Sequence, residues 1–452
     1  MQIIIVGCGK VGSALTQRLS KEDNNVCIID INSEVVHTLA TECDVMGIVG
    51  NGASHSVLAE AGIENADLFI AVTESDELNL LCCVIARKTA KCHTIARVRN
   101  PIYSKEQDFL QHEIGVSMII NPEQTAASEI SSLLCFPGAI GIDSFAGGKV
   151  EMLRFRIPCG CILDNMALKD VSARIHCQFL ICAVDRDNEV CIPGGNFVLK
   201  SGDVISIVAS RENTSFFLKK LNINTNSVKN TMIIGGGKIS LYLAEMLVKQ
   251  GIAVKVIEKN PKRCQELSEL LPEATVICGD GSEETLLQEE RIDSMDSFVA
   301  LTNMDEENIL LSLFAKKHVS KKVITKINRQ QLTEVIRNLE LDSVVYPKLL
   351  TAQKILQYVR AAKNSIGSNV KTLYRLFDDK VEALEFNIYE KSKITEIPLQ
   401  DLHIKKGLLI CAITRNGRIL IPDGQTQILP GDTMIVVTTQ LGLQDAQDIV
   451  RD

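Results

Sequence analysis

The sequence contains no tryptophan, and aromatic residues make up only 4% of its 452 residues. Proteins that hold single-stranded nucleic acid usually stack its bases on aromatic side chains. A net charge of −8 removes the other usual attraction, because binding to phosphate backbones requires concentrated lysine and arginine. The sequence therefore predicts that nucleic acid is not a partner.

Long apolar runs and export signals are also lacking. No stretch approaches the roughly 18 apolar residues that a membrane-spanning helix needs, and the amino terminus lacks a basic segment and a cleavage site. The 15 cysteines are an odd number, which without an export signal indicates reduced thiols. We therefore expect a cytoplasmic protein. No metal site is expected, because the spacing of Cys159, Cys161, His176 and Cys177 matches no standard zinc site.

What the sequence does contain is an internal repeat with an offset of about 229 residues. Gly7-Cys8-Gly9-Lys10 matches Gly235-Gly236-Gly237-Lys238, and Thr73 matches Thr302. A repeat this long indicates duplicated domains rather than a solenoid. The predicted fold is α/β, with two Rossmann-like parallel-sheet domains that are each followed by a small α+β domain. We place the Rossmann-like domains at 1–122 and 229–347 and the small domains at 140–225 and 369–452.

The first copy opens with a glycine-rich motif between two apolar runs. Gly7 permits a tight turn, Gly9 lets the backbone approach a pyrophosphate, and Gly12 lets helix and strand pack closely. Asp30 ends the second run, where an acid accepts hydrogen bonds from ribose hydroxyls. This order predicts a dinucleotide-type pocket, and the alternative is a glycine-rich turn without a ligand. No arginine follows Asp30, which favours NAD(H) or an adenosine nucleotide such as ATP or ADP over NADP.

The second copy repeats the motif with one change. Ser240 replaces the third glycine, which we expect to loosen the contact between helix and strand slightly, and Glu258 retains the acid. A second nucleotide pocket is predicted, and the alternative is a degenerate copy kept for packing.

Further along each copy, polar residues follow predicted strands. Thr73 and Thr302 stand at carboxyl strand ends, where open parallel sheets bind their ligands. Arg97 and Lys326 end the next strand, where a cation is placed either to meet a phosphate or to face solvent. Both interpretations stay open at this point.

The order of these motifs, with Gly50-Asn51-Gly52 and the run from Thr73 to Asn79, resembles the regulator-of-potassium-conductance (RCK) fold. The duplicated chain is similar over nearly its whole length to the cytosolic nucleotide-binding subunits of bacterial Trk potassium-uptake systems. The resemblance implies a gating ring, built as a homotetramer or from homodimer units. The ring would lie on the inner face of the membrane and control a Trk-type potassium-translocating subunit.

The resemblance also implies two nucleotide sites for NAD(H) or for ATP and ADP. The residues implied for the first site are Gly7, Cys8, Gly9, Lys10, Val11, Gly12, Asp30, Asn51, Thr73, Glu74 and Arg97. Those implied for the second site are Gly235, Gly236, Gly237, Lys238, Ile239, Glu258, Asp280, Thr302, Asn303 and Lys326.

Catalytic residues are not evident. The seven histidines are scattered, and none recurs at the repeat offset. A dehydrogenase needs a proton donor or acceptor placed against its cofactor. We therefore predict a regulatory protein rather than an enzyme, with an NAD-dependent oxidoreductase as the alternative. Two helix-like stretches that begin at proline, 122–134 and 347–359, are predicted to act as levers between nucleotide and ring.

Overall fold

The computed structural model describes residues 1–22, 24–145, 150–175, 177–187, 189–221, 228–329, 336, 339, 341–364, 370–377, 380–440, 442–443 and 445–451. His176, considered above as a zinc ligand, lies outside these ranges. Among the helices of the described ranges, none combines the length and the apolarity that a membrane crossing requires.

The first Rossmann-like unit is a parallel sheet with helices between its strands. Its strands are Gln2–Val6 (β1), Asn25–Asp30 (β2), Met46–Val49 (β3), Leu68–Ala71 (β4), His93–Arg97 (β5) and Met118–Ile120 (β6). Its helices are Lys10–Leu19 (α1), Ser33–Cys43 (α2), His55–Glu60 (α3), Asp76–Thr89 (α4), Pro101–Lys105 (α5), Gln107–Phe109 (α6) and Pro122–Cys135 (α7). The strand order is β3-β2-β1-β4-β5-β6. The central strand β4 is buried along its whole length, which is why it reads as a continuous apolar run.

The first small domain is an antiparallel sheet. Its strands are Gly141–Phe145 (β7), Val150–Arg156 (β8), Phe179–Arg186 (β9), Glu189–Cys191 (β10) and Val204–Ala209 (β11). Its helices are Leu168–Ile175 (α8) and Arg211–Lys220 (α9). The strand order is β10-β9-β11-β8-β7.

The second half repeats both sheets. The strands of its parallel sheet are Asn230–Ile234 (β12), Ala253–Glu258 (β13), Thr275–Cys278 (β14), Ser297–Ala300 (β15), Lys322–Lys326 (β16) and Ser343–Val345 (β17). The accompanying helices are Lys238–Lys249 (α10), Pro261–Leu270 (α11), Glu284–Glu289 (α12), Asp305–Ala315 (α13) and Pro347–Asn364 (α14). The last antiparallel sheet consists of Val370–Leu376 (β18), Val381–Asn387 (β19), Leu408–Arg415 (β20), Arg418–Leu420 (β21) and Thr433–Thr438 (β22). The orders are β14-β13-β12-β15-β16-β17 and β18-β19-β22-β20-β21.

These four sheets confirm the predicted fold class, while the exact domain limits stay a prediction. The helix that closes each Rossmann-like unit packs on the other copy: α7 lies against α10, and α14 lies against α1. Leu15 and Leu19 share one buried apolar core with Ile355 and Val359. The two parallel sheets are therefore joined through exchanged helices rather than through surface contacts alone.

Candidate nucleotide sites

Each parallel sheet has one point at which the order of its strands reverses direction. In the first sheet this point lies between β1 and β4, and in the second it lies between β12 and β15. Ligands of open parallel sheets bind in the crevice at the carboxyl ends of the strands at this point. The glycine loops and both threonines follow these strands, so the fold brings the predicted residues to two crevices.

The first glycine loop is closely packed on two sides and open on the third. Gly7 adopts φ +96°, and a Cβ atom there would lie 2.7 Å from the backbone nitrogen of Thr73. A Cβ atom at Gly12 would collide with the carbonyl oxygen of Gly7. At Gly9, by contrast, no described atom lies within 4 Å of the Cβ position. The open side is where a pyrophosphate could approach the backbone.

The amino end of α1 is available to an anion. Gly9 is its N-cap and provides no capping side chain, and the first turn holds no acidic residue. In α4, by comparison, Ser75 caps the helix and Asp76 and Glu77 occupy the first turn. The backbone N–H groups at the start of α1, with the exposed Lys10, therefore form the cationic end of the crevice.

Asp30 organises the other end of the crevice. Its Oδ2 accepts a 2.6 Å hydrogen bond from the Cys8 backbone N–H, and its Oδ1 accepts one of 2.9 Å from the N–H of Asn32. A carboxylate has further lone pairs, so both oxygens retain capacity for ribose hydroxyls. Burial raises the pKa of the Cys8 thiol to about 12, with Asp30 adding to the effect. Cys8 is therefore a protonated, buried side chain that fills the turn.

A buried asparagine fixes the far wall of the first crevice. Asn79 Oδ1 accepts hydrogen bonds from the backbone N–H (2.8 Å) and the hydroxyl (2.7 Å) of Thr73. Its Nδ2 donates to the carbonyl oxygens of Thr73 and Arg97 at 3.2 and 2.9 Å. Arg97 Nη2 also donates to the Thr73 carbonyl, and burial lowers the pKa of the Arg97 guanidinium. Sequence reasoning placed Thr73 and Arg97 at strand ends but gave Asn79 no role.

The second crevice repeats the loop and the acid. Gly235 adopts φ +96°, and the Gly236 N–H donates to Glu258 Oε2 at 2.6 Å. Glu258 Oε1 accepts a 2.8 Å bond from the N–H of Asn260. Ser240 stands where the first copy has Gly12, and its hydroxyl donates a hydrogen bond to the carbonyl oxygen of Gly235. In the first copy, the Cβ position at Gly12 faces the equivalent carbonyl oxygen, that of Gly7. The serine is thus accommodated by a hydrogen bond.

The wall of the second crevice is also the same. Asn308 Oδ1 accepts from the N–H and the hydroxyl of Thr302, both at 2.9 Å. Its Nδ2 donates to the carbonyl oxygens of Thr302 and Lys326 at 3.1 and 3.0 Å. Lys326 is only 6% exposed, its Nζ lies 3.3 Å from the carbonyl oxygen of Leu301, and burial lowers its pKa. Arg97 and Lys326 therefore both turn inward beneath the crevice rather than toward solvent.

The remaining predicted residues have different surroundings. Asn51 Oδ1 accepts a 2.9 Å bond from the Ala53 N–H, and Asp280 Oδ1 accepts one of 3.0 Å from the N–H of Ser282, so each stabilises its own turn. Glu74, Asn303, Gly237 and Lys238 are exposed, Ile239 is half-buried and Val11 is buried.

The crossing helices meet the opposite copy near its glycine loop or near the helix that follows the loop. Lys348, at the start of α14, lies near Lys10 of the first loop, and burial together with the nearby positive charge of Lys10 lowers the pKa of Lys348. On the other side, Asn121 Nδ2 donates to the hydroxyl of Tyr242 on α10 at 3.0 Å. α14 thus begins near the first glycine loop, and α7 begins against α10, the helix that follows the second loop. Sequence reasoning missed these residues because they are far apart in the chain.

The described ranges contain no group of three or more histidine, cysteine, aspartate or glutamate side chains arranged to hold a metal ion.

Comparisons with known families cover most of the chain. The TrkA-N domain family matches residues 3–122 and 231–347, and the TrkA-C domain family matches residues 152–222 and 383–451. The chain is 33% identical over 444 residues to the Trk system potassium uptake protein TrkA homolog 1 of Methanosarcina mazei, which covers 96% of this chain and 97% of that protein. It is 32% identical over 439 residues to the Trk system potassium uptake protein TrkA of Halomonas elongata, covering 96% and 95%.

Solved structures share the fold at lower identity. The crystal structure of the GsuK RCK domain superimposes with a TM-score of 0.64 at 17% identity, covering 97% of this chain and 92% of that chain. The GsuK channel bound to NAD gives the same TM-score and identity, covering 97% of this chain and 77% of that chain. At this identity the likeness shows the fold alone, which this chain shares with the GsuK RCK domain over nearly its whole length.

Proposed function

Because this chain belongs to the TrkA family of Trk-system potassium uptake proteins, we propose that it is the gating-ring subunit that regulates potassium uptake. It binds NAD(H), ATP or ADP in its two crevices. It acts at the inner face of the cell membrane on a Trk-type potassium-translocating subunit, as a homotetramer of duplicated chains. The GsuK channel, which shares the fold, has been solved with NAD bound, and this supports the choice of nucleotide.

The exchange of helices between the two copies is the observation that carries the proposal. One crossing helix begins near the glycine loop of the opposite copy, with Lys348 close to Lys10. The other begins against the helix that follows the second loop, with Asn121 bonded to Tyr242 of α10. A nucleotide that binds one arrangement of the copies more tightly shifts the population toward it, by no more than its difference in affinity. The ring passes this shift to the membrane subunit.

Potassium uptake in cells tests the proposal. Cells without the chain should lose nucleotide-regulated uptake, and cells with the double variant Asp30→Ala/Glu258→Ala should keep the protein but lose the response to nucleotide. Glu34→Ala, an exposed acid on α2 for which we propose no nucleotide contact, is the matched control. Unchanged uptake in cells without the chain would contradict the proposal.

Turnover separates this function from the enzyme alternative. Purified protein titrated with NADH should saturate without consuming the nucleotide, because regulation needs binding and not reaction. Steady loss of NADH absorbance would instead favour an NAD-dependent oxidoreductase. Light scattering of the same sample should give the mass of four chains, and a monomer would contradict the ring.

A further inference from the structure

Two cysteines meet at the acid of the second crevice. Only three of the 15 cysteines lie in the second half of the chain, and two of them, Cys264 and Cys278, belong to its parallel-sheet unit. Cys264 lies near the start of α11 and Cys278 ends β14. The fold brings both to the strand end that carries Glu258.

Backbone geometry fixes this meeting. Glu258 and Cys278 are direct partners in the parallel pairing of β13 and β14, which places neighbouring strands about 4.8 Å apart. The Cys264 sulfur lies 3.0 Å from the carbonyl oxygen of Glu258. The parallel register thus places Cys278 beside the same Glu258 backbone that the Cys264 sulfur contacts. A thiol pair thus spans the two elements that flank the ribose-binding acid.

The two thiols differ in accessibility. Cys278 is exposed, whereas Cys264 is only 7% exposed. Burial, with the Cys278 thiol and Glu258 as further causes, raises the pKa of Cys264 to about 11. A solvent-accessible cysteine next to a second cysteine that can resolve it is a common arrangement of redox-sensing pairs. In the first copy the equivalent positions hold Val36, which is buried, and Val49, which is exposed.

We propose that Cys264 and Cys278 form a reversible disulfide, with a low-molecular-weight disulfide such as oxidised glutathione as the oxidant, and that this disulfide weakens nucleotide binding in the second crevice. The Cys278 thiolate attacks one sulfur of the oxidant and expels the first thiolate. Deprotonated Cys264 then attacks the Cys278 sulfur and expels the second. Two protein thiols become one disulfide, and one oxidant molecule becomes two thiols. Intracellular disulfides of this kind are usually transient and sensory.

The disulfide would act through Glu258. A bridge ties α11 to β14 on either side of the acid, whose carboxylate holds the N–H groups of Gly236 and Asn260. Movement of either element changes where that carboxylate meets a ribose. This part rests on the proposed function, whereas formation of the disulfide does not. The first crevice, with valines at both positions, stays outside this control.

Peptide mapping of the full-length protein tests the pair. The protein is treated with oxidised glutathione, alkylated, and digested after glutamate, because Glu266, Glu269 and Glu273 separate the two cysteines. Mass spectrometry should find a peptide linked through Cys264 and Cys278 that disappears with dithiothreitol. A stable glutathione adduct on Cys278, or no reaction there, would overturn the proposal.

Variants that carry the valines of the first copy provide the controls. Cys264→Val should stop the reaction at the Cys278–glutathione adduct. Cys278→Val changes an exposed side chain, so folding is not at stake, and it should leave Cys264 reduced. In an Asp30→Ala background, oxidation should weaken NADH binding about 5- to 150-fold, the usual range for coupled sites. If the protein with the Cys264–Cys278 disulfide binds NADH as tightly as the reduced protein, the regulatory proposal is overturned. If the reduced protein binds no nucleotide at all, the proposed function is contradicted instead.

Discussion

The two nucleotide crevices share a backbone plan but differ in the side chains that complete it. The first pairs Cys8 with the short acid Asp30, and the second pairs Gly236 with the longer Glu258. A Cβ atom at Gly236 would lie 3.0 Å from Glu258 Oε2 and 2.6 Å from a methyl carbon of Leu267. A side chain at position 236 would therefore crowd both the longer acid and Leu267. The loop residue and the acid differ together between the two copies. As a result, the backbone N–H of the loop residue donates to the carboxylate at 2.6 Å in both crevices.

The charges around the crevices differ more than their backbones. The first loop has Lys348 of the other copy beside Lys10. The second loop has Arg263, whose Nε donates to the Gly236 carbonyl at 2.7 Å, where the first copy has the partly exposed Val35. We therefore expect the two crevices to rank nucleotides differently.

The largest effect is expected where the crevices are the same. Asn79→Ala leaves backbone groups of Thr73 and Arg97 buried without their partner, and Asn308→Ala does so in the second copy. Each unsatisfied buried group costs about 1–3 kcal/mol, so each variant should lose about 3–5 kcal/mol of unfolding free energy. Urea unfolding measures this loss. A loss confined to one variant would break the equivalence of the two walls.

The parallel sheets could be predicted from the sequence because their signals are local. Apolar runs of strand length, the glycine spacing, and acids at Asp30 and Glu258 stand close together in the chain, and β1 and β12 form where expected. The fold class and both crevices follow from these signals.

The buried network was not predictable from residue type. Asn79 and Asn308 lie within helices, and nothing local distinguishes them from exposed asparagines until the sheet places carbonyl groups around them. Lys348 and Tyr242 each interact with a residue of the other copy. Their roles therefore depend on how α14 packs against α1 and how α7 packs against α10. The Cys264–Cys278 contact likewise depends on the register of β13 and β14.

The next largest effect is expected at the acids. Asp30→Ala should weaken binding at the first crevice, and Glu258→Ala should weaken it at the second, because each removes the carboxylate that we propose accepts hydrogen bonds from ribose hydroxyls. Hydrogen bonds to charged groups contribute about 1.5–3 kcal/mol, which corresponds to roughly 10- to 100-fold in affinity. Two-site calorimetry with NADH and with ATP measures each crevice separately. Unchanged affinity in either variant would show that the ribose contact is wrong for that crevice.

A smaller effect is expected from exchanging the loop residues. Gly236→Cys forces a side chain against Glu258 and Leu267, and overpacking of this kind costs about 1–3 kcal/mol. Adding Glu258→Asp shortens the acid and should recover part of the loss, since it recreates the first crevice. Thermal unfolding of the single and double variants measures both steps. If the second change adds a further loss, loop residue and acid are independent and the proposed pairing fails.

The smallest effect is expected at Arg263, whose side chain is only half-buried. Arg263→Val installs a valine like that of the first copy and removes the bond to the Gly236 carbonyl and the ion pair with Glu266. A hydrogen bond contributes about 0.5–1.5 kcal/mol net, so urea unfolding should show a loss of that size. The reciprocal Val35→Arg is the control, and it should change stability by less than about 0.5 kcal/mol because the position is at the surface. If Val35→Arg instead raises the free energy of unfolding by more than this, the first loop also offers a carbonyl oxygen that can accept a hydrogen bond from an arginine. The two crevices would then differ at this position in the side chain alone and not in the shape of the loop.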